Sequence, residues 1–391
     1  VLHGGEIYDK EIKYDFSVNL NPNPCPDSVR QSLVDAIKQV DQYPDITQRE
    51  FREKVAEAEN KYLAEEASLT RTKNNANNES RNLNISPDMI IGGNGASELI
   101  LAIIKMLQPK KVLLPIPSFY GYRHALKALN STENNSENIV NSKDDNTGQA
   151  TGRIIVDEYL LKPEEQFELK DDFIKNITND TDAVILANPN NPTGRCVGEN
   201  ILEKIIRKCN ETQTNLIVDE CFLHLSTGAA SAVKYLDRSD NLYIINAYTK
   251  LFSIPGVRIG YAISSEQNIS RLKQCLPEWN MSIFAQKAGI ACTNSLLDTN
   301  FEEESKALIK EEREKLIKVF SEKGIRVYPS DTNYLLIKSD NNLYEKLLSK
   351  GILIRDCSNF KGLEEGFYRI AIKDSLSNCE LMHNCNNCFF S

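Results

Sequence analysis

A lysine that closes an apolar run, with a hydroxyl before it and an arginine eight residues on, is poorly explained as a surface side chain. Tyr248-Thr249-Lys250-Leu251-Phe252-Ser253-Ile254-Pro255-Gly256-Val257-Arg258 has that form. Burial lowers the pKa of an amine and makes it a nucleophile toward aldehydes. Three other segments carry residues of similar promise. In Gly92-Gly93-Asn94-Gly95-Ala96-Ser97, glycines allow a tight turn, and the free N–H groups of a following helix would face an anion such as phosphate. Asn188-Pro189-Asn190-Asn191-Pro192-Thr193-Gly194 has a path fixed by two prolines, and its paired asparagines offer uncharged donors. Val218-Asp219-Glu220 sets acids at the end of an apolar run, where a carboxylate is costly unless it meets a cation or a strong donor. Singly, each has an ordinary alternative: a strand-to-helix turn, an Asn-Pro turn, a helix cap, a solvated lysine.

The elements around these segments alternate. Met89–Ile91 reads as a strand leading into a helix over Ser97–Leu107, and Lys111–Leu114 as the next strand. Ala183–Leu186, Leu216–Val218 and Leu242–Ile245 are three more buried-looking strands, with a helix over 199–209 between the first two. Such alternation predicts an α/β fold, a mostly parallel sheet covered by helices. All four chemical segments then fall at the carboxyl ends of strands, where open α/β sheets bind ligands.

Upstream, Val29, Leu33, Ile37 and Val40 recur at helical spacing, predicting a helix over 28–40. A second begins near Thr47, with Glu50 placed to complete a capping box, and runs through Phe51, Val55, Ala58 and Tyr62. Two Asn-rich stretches, about 68–86 and 130–152, lack the apolar content to pack and read as surface insertions. After about 275 the pattern changes to a long charged helix over 301–322 and strands at Tyr334–Lys338, Ile352–Arg355 and Phe367–Ile372. The expected organisation is an arm and first helix (1–45), a large domain (46–275) and a small α+β domain (276–391).

A net charge of -9 argues against nucleic acid as a partner. No apolar run is long enough to span a bilayer, and the polar opening Val1–Lys13 does not read as a leader. Most of the ten cysteines are single residues in apolar segments, as Cys196, Cys221 and Cys275 are, which fits a reducing compartment. The expectation is a cytoplasmic protein with no membrane contact.

Taken together and in order, the four segments resemble those of the aspartate-aminotransferase fold family of pyridoxal-5′-phosphate enzymes, over nearly the whole chain. The resemblance implies a seven-stranded-type, mostly parallel sheet sandwiched by helices, plus the smaller domain. It also implies roles. Lys250 binds the cofactor aldehyde covalently, and Asp219 holds the proton on the pyridine nitrogen, making the ring an electron sink. Asn191 donates to the ring phenolic oxygen, and Phe119, in Pro117-Ser118-Phe119, stacks on the ring. Gly95, Ala96, Ser97, Thr249 and Arg258 hold the phosphate. Arg369, in Tyr368-Arg369-Ile370, grips the substrate α-carboxylate as a bidentate pair. Tyr43, in Gln42-Tyr43-Pro44-Asp45, reaches the neighbouring subunit's phosphate, which implies a homodimer with shared active sites.

Two branches of that family compete, threonine-phosphate decarboxylases of cobalamin synthesis and histidinol-phosphate aminotransferases. His3-Gly4-Gly5 with Asp15-Phe16-Ser17-Val18-Asn19-Leu20-Asn21-Pro22 resembles the decarboxylase arm. Ile354-Arg355-Asp356-Cys357-Ser358-Asn359-Phe360 with Gly362-Leu363 resembles its C-terminal segment. Phe222 stands where the aminotransferases usually place a tyrosine. The expected substrate is a small phosphorylated amino acid, with His3, Arg355 and Asn333 as candidate contacts. His3 reads equally as a terminal residue, and Arg355 as a structural ion-pair partner. Lys373 departs from the decarboxylase pattern, which has a second arginine there. Cys379, His383, Cys385 and Cys388 include a Cys-x2-Cys pair with metal-ligand spacing, a weak candidate for zinc or an iron–sulfur cluster. A non-catalytic regulatory module on the same fold is the alternative of another class. The net charge of -9 argues against such a module, which is fused to DNA-binding units, while a degenerate non-catalytic binder would not need Lys250, Asp219 and Arg258 together.

Overall fold

Val184-Ile185-Leu186, Leu216-Ile217-Val218 and Leu242 through Ile245 are runs in which every side chain is buried. Strands apolar on both faces pack only at the middle of a sheet covered on both sides. The computed structural model, which describes residues 4–73, 83–130, 139–141, 154–339 and 342–388, has that arrangement. Its main sheet has eight described strands in the order Ile90–Gly93, Gly260–Ile263, Leu242–Asn246, Asn215–Asp219, Ala183–Ala187, Lys111–Ile116, Ile154–Leu160 and Ile139–Asn141. Gly260–Ile263 runs antiparallel to both neighbours, and the remaining pairs are parallel. The short Ile139–Asn141 strand extends the sheet by one beyond the seven expected. Side chains alternate faces: Leu216 and Val218 join one apolar core, Ile217 the other.

The alternation of strand and helix brings five loops to one edge of this sheet. They follow Gly93, Ile116, Ala187, Asp219 and Asn246. A second sheet is wholly antiparallel, in the order Arg326–Val327, Tyr334–Lys338, Phe367–Ala371 and Arg355–Asp356. Tyr14–Asp15 pairs in parallel with Ile352–Leu353, which ties the N-terminal arm to this second unit. Among the described residues no helix is long and apolar enough to cross a membrane.

Three expectations need correcting. The first helix ends at Ala36 and tightens into a 3₁₀ turn over Ile37–Gln39, rather than continuing as one helix to Val40. The second starts at Arg49 without a Thr47–Glu50 box. Asp45 supplies the cap instead, accepting from the N–H groups of Thr47 and Arg49 at 2.8 Å each. The third concerns Ile352–Arg355. It is two short strands with different partners, because the chain leaves Tyr14–Asp15 and crosses to Phe367–Ala371. The Asn-rich insertions lie mostly outside the described residues.

At the edge strand Ile90–Gly93, Gln48 replaces a missing neighbour. Its Oε1 accepts from Gly92 N–H at 2.7 Å, and its Nε2 donates to Asn280 Oδ1 at 2.9 Å. A buried N–H left without a partner costs about 1–3 kcal/mol. Gln48→Ala should therefore lower unfolding free energy by about that amount in urea titration. A loss below about 0.5 kcal/mol would show that the side chain does not cap this edge.

Candidate active site

The five loops surround a cleft of about 270 Å³ that Lys250, Asp219, Ala96, Ser97, Phe119, Asn191, Thr249, Arg258, Arg355 and Arg369 all line. At one end, Gly95 turns the chain from the edge strand into helix Ala96–Leu107 with φ of +78° and no side-chain cap on the helix. A Cβ there would lie 2.4 Å from Arg258 Nη2, so glycine lets the guanidinium close over the turn. Arg258 itself is held at φ +58°, a left-handed conformation seldom kept by arginine without a local reason. Unpaired helix N–H groups beside a guanidinium make an anion cradle.

In the middle of the cleft, Asp219 is buried and fixed on both oxygens. Tyr122 Oη donates to Oδ2 at 2.7 Å and the Cys221 N–H to Oδ1 at 3.0 Å. Tyr122 is fully buried, and burial together with Asp219 holds its phenol well above the usual range, so it stays a donor. Phe119 meets Tyr122 edge to face at 5.6 Å between centroids. Lys250 begins its approach from the one-turn helix Tyr248–Leu251, and its Nζ lies 5.8 Å from the Phe222 ring centroid. Burial pushes its ammonium down to about 8, and the guanidiniums of Arg369 and Arg258 add to that effect against Cys221 and Asp219. An amine so placed is half deprotonated, and so available as a nucleophile, near pH 8.

The far end is cationic. Arg355 and Arg369 sit directly opposite each other on adjacent antiparallel strands, so their side chains leave the same face of the sheet. Both are nearly inaccessible, at 5% and 6% exposure. Arg369 donates to the Ser17 carbonyl at 2.7 Å and to Asn191 Oδ1. Arg355 donates to the Asp356 carbonyl at 2.6 Å and to Asn359 Oδ1 at 2.9 Å. Like charges facing each other in this way destabilise a sheet unless an anion is brought between them. Asn19 lines the same space with a buried Oδ1 that has no hydrogen-bond partner among the described residues.

Some expected residues are elsewhere. Tyr43, expected at a neighbouring subunit's phosphate, is 82% exposed, lies away from this chain's own cleft and meets the Trp279 ring at a tilt, 4.9 Å between centroids. Asn333 does not line the cleft: it is fully buried and donates to the Leu20 carbonyl at 3.1 Å, pinning the arm. His3 lies outside the described residues. In helix Ser375–Cys388, Cys379 and His383 are exposed while Cys385 is buried, and the Cys388 side chain lies outside the described residues. Among the described residues no three His, Cys, Asp or Glu side chains are arranged to hold a metal.

Conversely, Tyr122, Ser17 and Asn19 were not expected at the site. Nothing in the helical pattern around Tyr122 distinguishes it from a core tyrosine. Ser17 and Asn19 lie in the Asp15–Pro22 segment that marks the arm.

The aminotransferase class I and II family model matches residues 11–135 and 146–385. A threonine-phosphate decarboxylase of Salmonella typhimurium is 26% identical over 98% of this chain and 96% of its own. A histidinol-phosphate aminotransferase of Caldanaerobacter subterraneus is 30% identical over 97% and 93%. The solved histidinol-phosphate aminotransferase of Clostridium acetobutylicum superposes with a TM-score of 0.77 at 28% identity, covering 96% of this chain and 99% of that one.

The depressed lysine gives a direct check. In apoprotein, modification of Lys250 by a small aldehyde, followed by reduction and peptide mass analysis, should rise with pH through a midpoint near 8. A midpoint at the ordinary lysine value of 10.5 would mean that the amine is solvated.

Proposed function

The chain belongs to the aminotransferase class I and II family, whose members use pyridoxal 5′-phosphate, and from that premise we propose that it decarboxylates L-threonine O-3-phosphate. The residues present fit the cofactor. The Gly95 turn, Ala96, Ser97, Thr249 and Arg258 form a cradle that a side chain at 95 would fill, as a phosphate site requires. A carboxylate and an amine with a lowered pKa line the same cleft, as the ring nitrogen and the aldehyde require. When bound, the cofactor supplies an electron sink for the pair left when a bond to the substrate Cα breaks.

Each remaining task falls to a residue of this chain. Lys250 would hold the cofactor aldehyde through Nζ and later return a proton to the substrate carbon, which an amine near pKa 8 can do close to neutrality. Asp219, locked by Tyr122 and the Cys221 N–H, would keep the ring nitrogen protonated. Phe119 would cover the ring. Asn191 accepts from Arg369 through Oδ1, which leaves its Nδ2 free to donate to the ring oxygen. Arg369 would grip the substrate carboxylate, and Arg355 with Asn19 the distal phosphate.

The facing pair Arg355 and Arg369 is the observation that carries the choice of a doubly anionic substrate. Phe222, buried at the cleft wall with no hydroxyl to offer, and the likeness to the Salmonella enzyme over 98% of this chain support the lyase outcome. Transamination of the histidinol-phosphate type is the second reading, favoured by the Clostridium likeness. A homodimer completes the proposal. Val34, Ile37, Val40, Tyr43 and Trp279 expose apolar surface that a second copy would cover, with Tyr43 reaching the partner's cradle.

Incubation with O-phospho-L-threonine and no keto acid should release carbon dioxide. A requirement for 2-oxoglutarate with formation of glutamate would instead establish the aminotransferase. Removing a charge-assisted contact to a phosphate typically costs about 3 kcal/mol, so Arg355→Leu should lower kcat/KM for this substrate roughly 100-fold. An unchanged kcat/KM would place the phosphate elsewhere.

A further inference from the structure

Beneath the catalytic edge lies a buried cluster that the proposed chemistry does not use. His224, five residues after Asp219, is 8% exposed, and its Nδ1 lies 3.2 Å from Glu302 Oε2. Its Nε2 is buried without a hydrogen-bond partner. Glu302 belongs to the first turn of helix Phe301–Glu322 and also receives hydrogen bonds from Tyr62 Oη and Lys306 Nζ. Helix Arg49–Lys73 adds Glu59, which accepts from Tyr261 Oη at 3.0 Å, and the Tyr62 ring, 5.4 Å from the imidazole. Glu220, next to Asp219, accepts from Ser231 Oγ and the Ala232 N–H, both at 2.7 Å. Tyr248, two residues before Lys250, accepts from Thr293 Oγ1 at 3.0 Å.

The same helix turn also grips the lysine segment. Asn21 Nδ2 bridges the Leu251 carbonyl at 2.7 Å and Ser305 Oγ at 2.8 Å, while the Asn21 N–H donates to the Lys250 carbonyl at 3.1 Å. Phe301 stacks on Phe252 at 5.3 Å between centroids. Glu302 and Ser305, one turn apart, therefore hold the Asp219 segment through one contact and the Lys250 segment through the other.

We propose that His224 is a positioning residue for the cofactor site: with Glu302 it clamps the segment after Asp219 to the helix turn that also anchors Lys250, and its proton is coupled to the charge at Lys250 Nζ. The electrostatics agree with this. Burial opposes a charge on His224, yet Glu302 and Glu59 outweigh it and raise the imidazole above its ordinary range. Burial pushes Glu220 up to about 8 and raises Glu59, while His224 and Lys306 overcome burial to keep Glu302 low. His224 as imidazolium, paired with Glu302 carboxylate, is the arrangement these directions describe.

The inference rests on the pyridoxal-phosphate reading of Lys250, and linkage supplies a test that needs no substrate. If the proton on His224 is felt at Nζ, a change of charge at Nζ must move the His224 titration. Histidine labelled with ¹³C in the holoenzyme reports all four histidines. The His224 signal is identified by elimination, replacing His3, His124 and His383. Titration is compared before and after borohydride converts the cofactor–lysine linkage to a secondary amine that stays cationic at neutral pH. His224 should titrate above the ordinary imidazole range, and its midpoint should fall by roughly half a pH unit on reduction.

An identical midpoint in both forms would overturn the inference alone. Failure of borohydride to fix cofactor on the protein would overturn the premise as well. His224→Gln gives a second reading: the pH midpoint of the cofactor–lysine absorbance should shift. A lower Tm with that midpoint unmoved would reduce His224 to a structural residue.

Discussion

Among the described residues four cationic groups, Lys250, Arg258, Arg355 and Arg369, are drawn around one cleft that holds a single lining carboxylate, Asp219. Charges removed from water repel more strongly than they would at the surface. Such a site can relieve that repulsion in two ways, by shedding a proton or by gathering anions. Lysine is the only one of the four that can shed a proton easily, and its amine is the one driven toward neutrality. Guanidiniums stay charged, so under the proposed function the cradle at Gly95 would take a phosphate, and the pair at Arg355 and Arg369 the anionic groups of the substrate. The proposed nucleophile, cofactor site and substrate class all rest on this one imbalance.

Holding that imbalance in place requires contacts drawn from distant parts of the chain. Arg369 comes from the antiparallel sheet but is aimed by Ser17 of the arm and Asn191 of the main-sheet edge. Asp219 ends a central strand but is oriented by Tyr122 from the helix after Phe119. The arm is itself pinned by Asn333, Asn21 and Ser305. Movement between the two sheets would therefore be felt at Arg369, Asn191 and Lys250 together.

How much of this was legible beforehand depended on the range of the interaction. Lys250, Asp219, Asn191 and Ala96 lie in short segments whose residue types make little sense unless they meet at a sheet edge, and the structure brings them to one cleft. The central strands were equally legible, because only a two-sided core tolerates runs such as Leu216–Val218. Partners contributed by remote elements were not. Tyr122 sits in an ordinary amphipathic helix, and its bond spans 97 residues of sequence. Asn333 looked like a substrate contact because amides suit polar ligands, but its donor was already engaged by Leu20. Thr47 and Glu50 had capping-box spacing, yet Asp45 lay close enough to take the N–H groups of Thr47 and Arg49 first.

Equilibrium binding to the holoenzyme offers the most direct test of the electrostatic account. Changes in the visible cofactor spectrum can be titrated with O-phospho-L-threonine and with unphosphorylated L-threonine under the same conditions. A site built around two facing buried guanidiniums should bind the phosphorylated amino acid roughly 100-fold more tightly or better. Equal affinities would contradict the account, because Arg355 would then be a structural residue and the cleft indifferent to a second anion.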